Sequence, residues 1–267
     1  MKIINVSQAE NTEEWLRARL GRLTGTKIDA AKLNEYKTGA HKGMYKTGAG
    51  FWDIIAEYMA VPPTSENPAD RGHRLENENA EKTFIKQGID LDEVEFDTKL
   101  WVSDDYPWLA CSPDAHEKTD TPTYAVECKS LSSAHHLEAV VPFAMARGKG
   151  SPEEFEKLLP TVNWESTRDF DYIPTKYQPQ VVQYFVVNEK LETLWFSMYD
   201  PRVVIPELQH VVMLVKREDI LDEITAQEHQ AVVVHDWVKR LRETFDLTDS
   251  AAVDLEVPTL DVELWHD

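Results

Sequence analysis

The chain has 267 residues and a mass of 30.7 kDa, with 42% hydrophobic and 28% charged residues, enough apolar material for one large core. No run approaches the roughly 20 apolar residues that cross a bilayer, the opening MKIINVSQAENTEEW lacks the apolar segment of a signal peptide, and Cys111 and Cys128 are too few for a disulfide scaffold or a four-thiolate metal site. A net charge of −20 argues against a phosphate-rich partner if it is spread evenly over the surface.

It is not spread evenly. Residues 1–50 carry nine Lys/Arg against five Asp/Glu, whereas residues 218–267 carry three against fourteen. A basic N-terminal stretch can therefore meet DNA locally, and no membrane is expected as a partner.

In chain order, Asn11 followed three residues later by Glu14 is an N-cap signature for a helix carrying Trp15, Arg17 and Arg19, which Gly21 ends. A second helix is expected from Thr26 through Ile28, Ala31 and Leu33. Residues 39–50 read as a glycine-rich basic loop, followed by an apolar helix around Phe51, Ile54, Ile55, Tyr58 and Met59 and a polar helix from about Ala69 to Lys86. The period then changes. Residues 108–111 suit a short buried strand, 112–115 a turn, and 123–129 a strand alternating Tyr124, Val126 and Cys128 against Ala125, Glu127 and Lys129. Pro179 suits the first turn of a helix. Residues 191–199 and 210–215 read as strands, and 218–245 as a long amphipathic helix with Ile220, Leu221, Ile224, Trp237, Leu241 and Phe245 inward. Interleaved strands and helices give a mixed α/β class. One domain is expected over 1–245, followed by an acidic segment, 246–267.

The chemistry concentrates in Ser112-Pro113-Asp114 and Glu127-Cys128-Lys129, twelve residues apart. On a strand, residues i and i+2 share a face, so Glu127 and Lys129 point the same way, and a hairpin-like return brings Asp114 beside them. Two carboxylates and an ammonium around one point suit a hard, hydrated divalent cation such as Mg²⁺. The same residues would also suit a surface hairpin with a cross-strand ion pair. The tryptophan, leucine, tyrosine and valine around the acids favour the metal site, because buried charges need partners.

Asp114 with Glu127-x-Lys129 resembles the signature of the PD-(D/E)XK nucleases, and four further blocks resemble the lambda exonuclease (YqaJ-type viral recombinase) branch. These are WLRARLGRLTGT at 15–26, Gly72-His73-Arg74-Leu75-Glu76, Tyr177 through Tyr184, and Tyr199-Asp200-Pro201-Arg202. The resemblance runs over roughly residues 10–205. It implies a restriction-endonuclease-like fold, a central mixed β-sheet flanked by helices. It also implies a metal centre of Glu76, Asp114, Glu127 and the Cys128 backbone carbonyl, holding Mg²⁺ or Mn²⁺, with Asp114, Glu127 and Lys129 catalytic. A 5′-phosphate pocket is implied at Arg19, Thr26, Ser112 and Gln180. Gln183 is the alternative to Gln180, because this helix carries one residue more between its glutamines than the family pattern.

The activity so implied is Mg²⁺-dependent 5′→3′ digestion of linear double-stranded DNA to mononucleotides, leaving 3′ single strands. The partners implied are double-stranded DNA ends, a single-strand annealing protein in phage or prophage recombination, and further copies in a ring-shaped homotrimer, within the cytoplasm of a bacterial host. Two rivals stand beside it: a structure-selective or repair endonuclease using the same metal site, and a non-enzymatic acidic DNA mimic. His135 and His136 are expected at the surface, and the basic loop from Lys37 to Lys46 suits a DNA backbone contact or a solvated loop.

Overall fold

A computed structural model of the chain describes residues 24–48, 50–61, 68–96, 99–149 and 155–244. Its centre is a mixed sheet of five strands in the order β3-β6-β7-β8-β9, where β3 is Val94–Glu95, β6 Ala115–Glu117, β7 Tyr124–Lys129, β8 Thr193–Tyr199 and β9 His210–Lys216. Only β7 and β8 run parallel; the other neighbours are antiparallel. Two small hairpins stand apart, β1 (Leu33–Glu35) with β2 (Tyr45–Thr47), and β4 (Trp101–Val102) with β5 (Ala110–Cys111).

A parallel pair needs a long crossover, and residues 130–192 supply it, with two α-helices among the described residues that bear on the site. They are α4 (Ser133–Ala144) and α5 (Gln178–Val187), the latter with proline in its first turn. Before them in the chain come α1 (Gly25–Ile28), α2 (Phe51–Met59) and α3 (Pro68–Gln87); after them come α6 (Pro206–Gln209) and α7 (Leu221–Thr244).

The sheet is covered on both faces, so its central strands read as nearly unbroken apolar runs. Ala125 of β7 and Leu194, Phe196 and Met198 of β8 belong to the larger core, with Val181, Val182 and Phe185 of α5. Val126, Cys128 and Trp195 face the other way, onto Ala80 and Phe84 of α3. Phe84 is fully buried, with the Trp195 ring edge-on at 5.8 Å. Glu127 and Lys129 therefore emerge on the α5 side of the sheet, while α3 crosses behind.

A buried ion cluster fixes α3 at the end of β8. Asp200 accepts from Arg71 of α3 at 3.2 Å, from Arg202 at 3.0 Å and from the Ser133 hydroxyl at 2.6 Å. Hydrogen bonds hold Asp200 below the usual carboxylate range against the opposing pull of burial. The β1–β2 hairpin turns at Gly43, whose φ of +85° favours glycine. It returns past Ala30 through Gly48, where a Cβ would lie 2.2 Å from the Ala30 carbonyl oxygen.

The central mixed sheet flanked by helices matches the expected class, but several elements depart from the sequence reading. The helix expected from Thr26 to Leu33 stops at Ile28, and Leu33 opens β1. Part of the expected loop at 39–50 is β2. The buried strand expected at 108–111 shortens to β5, which pairs with β4 and leaves Ala110 exposed and Cys111 half-buried. On α7, Ile224 is buried as expected, whereas Leu221, Trp237 and Leu241 are exposed. His136 is buried, its Nε2 on the Leu208 carbonyl at 2.6 Å, because α4 packs its N-terminal turn inward. The helix expected at 11–21 and the acidic segment 246–267 lie outside the described residues.

Candidate active site

Asp114 follows the turn at Pro113 and sits at the start of β6, beside the end of β7. Its Oδ2 accepts the Cys128 backbone N–H at 2.6 Å, while its own N–H donates to the Val126 carbonyl at 3.2 Å. This pair of bonds locks the carboxyl against the strand that carries Glu127 and Lys129. From behind, α3 brings the Glu76 carboxyl into hydrogen-bond contact with Asp114. Burial, that contact and the charge of Glu127 together push the Asp114 carboxyl up to about 9.

Glu127 is 1% exposed and held by three partners. Lys129 pairs with Oε1, Gln180 donates to the same oxygen at 2.8 Å, and the Tyr184 hydroxyl donates to Oε2. Tyr184 also reaches the Ser112 carbonyl at 3.2 Å, so α5 is tied to both halves of the hairpin. Burial and the Glu127 charge push the Tyr184 hydroxyl far above its ordinary range, which keeps it a donor. The Lys129 ammonium lies 5.2 Å from the centre of the Tyr177 ring, and Glu127 holds its pKa up against the opposing pull of burial.

Glu76, Asp114, Glu127, Lys129 and Gln180 are thus brought together. Ser112 lies beside them through its carbonyl, but its hydroxyl donates to the Lys99 carbonyl at 2.9 Å. Gln183 turns to another neighbourhood: its side-chain oxygen accepts from Gln227 of α7 at 2.9 Å. Arg19 lies outside the described residues, as does the Thr26 side chain, whose backbone belongs to the four-residue α1. The sequence reading gave Tyr184 no role of its own. The signal available was its i, i+4 spacing from Gln180, which puts both side chains on one helix face.

Among the described residues, no three His, Cys, Asp or Glu side chains form a ready-made metal cage. The donor chemistry nevertheless fits a hard dication. Carboxylate oxygens are the ligands Mg²⁺ prefers, and it needs only one or two of them because it retains water. Burial raises Asp114 most, and Glu76 and Glu127 add to it; that added repulsion is what a dication would relieve.

Residues 14–190 match the YqaJ-like viral recombinase domain. The chain belongs to that family. The YqaJ-like region takes in α3, β7, α5 and every residue of the acid cluster. No curated protein matches the chain. Among solved structures, an alkaline exonuclease (LHK-Exo) from Laribacter hongkongensis is similar at 18% identity and a TM-score of 0.39, over 88% of this chain and 100% of that one. The same exonuclease in complex with dAMP aligns at 17% identity and a TM-score of 0.43, over 88% and 99%.

Proposed function

We propose that this YqaJ-like chain is a Mg²⁺-dependent exonuclease that digests linear double-stranded DNA 5′→3′ to mononucleotides and leaves 3′ single strands for annealing-type recombination. The observation that carries the reading is the junction of Asp114, Glu76, Glu127 and Lys129 at the end of one hairpin, with α5 closing over it. Support for the biological setting comes from membership in the viral recombinase family.

In this reading Asp114, Glu127, Glu76 and the Cys128 carbonyl would hold the ion, with Mn²⁺ able to replace Mg²⁺. The ion would supply a more acidic bound water and offset charge on the phosphodiester. Lys129 is the only cation in contact with Glu127 among the described residues, and its ammonium would stabilise charge developing on the phosphate oxygens. Gln180 and Tyr184 would keep Glu127 oriented. Arg19 and Thr26 would grip the 5′-phosphate and set polarity, Arg19 by a bidentate contact. A ring of three copies, threaded by DNA and working beside a single-strand annealing protein in the host cytoplasm, completes the proposal. Enclosure would let an acidic chain stay on its substrate without many salt-sensitive contacts.

The test is a time course of acid-soluble nucleotide release from 5′-labelled and 3′-labelled linear duplexes, with Mg²⁺ and with EDTA. The expected result is Mg²⁺-dependent release of the 5′ label first, lost in Asp114→Ala and Lys129→Ala proteins that remain folded. Release that persists in either variant would remove the site. Cutting of covalently closed circles would instead favour the endonuclease.

A further inference from the structure

The last three turns of α7 carry an apolar face that no described residue buries. Ile224 is buried, Glu228 accepts from the Tyr106 hydroxyl at 2.8 Å, and the His235 ring stacks on Trp108 at 4.2 Å. These positions mark the face by which the helix rests on the body. At 3.6 residues per turn, Val234, Trp237, Val238 and Leu241 form a second stripe, about a quarter-turn round from the first. All four are exposed, Trp237 by 59%. A contiguous apolar stripe of this kind is the mark of a surface that meets something.

The charges around the stripe are segregated. By the same helical geometry Arg240 and Arg242 flank it on opposite sides, and the Arg240 guanidinium lies 5.5 Å from the centre of the Trp237 ring. Asp236, Lys239 and Glu243 fall on the side of the helix away from it. Within residues 233–244 neither flank holds an acid, so the same turns of a second copy would bring no carboxylate to these arginines. The face fits a segment that is apolar and acidic together.

Such a segment follows in the same chain. Residues 246–267, outside the described residues, contain seven Asp/Glu and no Lys or Arg. Leu255, Val257, Leu260, Val262 and Leu264 each have an acidic neighbour in sequence. The stripe from Val234 to Leu241 is only about 10 Å long, and the ten residues between Thr244 and Leu255 are enough to turn back along it. A tether this short gives an effective concentration on the order of millimolar. Even a weak intrinsic Kd of about 0.1 mM would then keep the segment bound roughly nine-tenths of the time.

We propose that residues 246–267 dock onto the 234–241 stripe of their own chain, placing leucine and valine side chains on Trp237 and its neighbours and carboxylates beside Arg240 and Arg242. The docking covers the stripe and draws part of the chain's negative charge onto two arginines. It does not depend on the nuclease reading.

The full chain is exposed to a glutamyl endopeptidase, and cleavage after Glu256 and Glu263 is timed by mass spectrometry, with a synthetic peptide of residues 246–267 as the unhindered reference. Cleavage follows the fraction of time the segment is undocked, so the full chain should be cut about tenfold more slowly than the peptide. Trp237→Ser with Leu241→Ser should bring the rate close to that of the peptide, and so should Arg240→Gln with Arg242→Gln. Circular dichroism checks that both double variants, altered only at exposed or flanking positions, stay folded; if the serine pair does not, the arginine pair carries the test. A parent cut as fast as the peptide, or variants cut as slowly as the parent, overturns the proposal. Protection that disappears on hundredfold dilution at constant peptidase concentration overturns it too, because the segment would then be covering the helix of a second copy.

Discussion

The Tyr184 hydroxyl on α5 donates to Glu127 on β7, and so a helix from the crossover fixes the orientation of a buried carboxylate on the sheet. Few side chains could replace it, because the same hydroxyl also reaches the Ser112 carbonyl.

Tyr184→Phe removes both bonds and keeps the ring. A hydrogen bond to a charged group contributes about 1.5–3 kcal/mol, so urea denaturation should show a loss of that order with the m-value unchanged. A midpoint equal to that of the parent would mean that Glu127 is held well enough by Gln180 and Lys129 alone.

Mg²⁺ should raise the melting temperature of the parent. At a hundredfold excess over its Kd the ion adds about 2.7 kcal/mol. Asp114→Asn should abolish that rise while leaving the melting temperature in EDTA near the parental value. Equal Mg²⁺ shifts in both proteins would place the ion elsewhere.

Asp200→Ala leaves Arg71 and Arg202 facing a hole where their carboxylate stood. Breaking a buried ion pair from one side costs about 3–5 kcal/mol. Since Arg71 lies on the helix that carries Glu76, the variant should also weaken the Mg²⁺-induced melting shift. Parental stability in chemical denaturation would refute the first claim, and a parental Mg²⁺ shift the second.

His210 is half-buried, its Nε2 3.0 Å from the Ser197 hydroxyl and 3.1 Å from that of Thr83. Burial, then the charges of Lys86 and Lys82, lower its pKa from 6.5 to about 4. The unfolded chain therefore takes up a proton that the folded one refuses. This contribution to stability is complete above pH 6.5 and is lost progressively as pH falls towards 4. His116 and His136 are lowered in the same direction, so the informative comparison is with His210→Gln, whose stability should fall less steeply over that window. Parallel curves for the two proteins would show that His210 does not titrate as argued.

The acid–lysine cluster was legible because its spacing is local. A turn at Pro113 and alternation along 124–129 are enough to place Asp114 beside Glu127 and Lys129. Gln180 came from the resemblance as a phosphate contact, with Gln183 as its alternative, and the register of α5 sends them to different neighbours: Gln180 meets Glu127 and Gln183 meets Gln227. The apolar period of α7 was real, but a period says which residues share a face and not what that face meets. Val234, Trp237, Val238 and Leu241 are all exposed. Likewise the residues after Ile28 have helical spacing, yet backbone pairing with 45–47 draws Leu33 into a strand.

The parallel pairing of β7 with β8 has a consequence for the newly made protein. Glu127 leaves the ribosome 53 residues before Gln180 and 57 before Tyr184. Until that stretch has been translated, the acids of the hairpin have neither their glutamine nor their tyrosine. A chain truncated between Lys129 and α5 would thus contain every acid and lysine of the cluster, yet leave Glu127 with Lys129 and without the bonds from Gln180 and Tyr184.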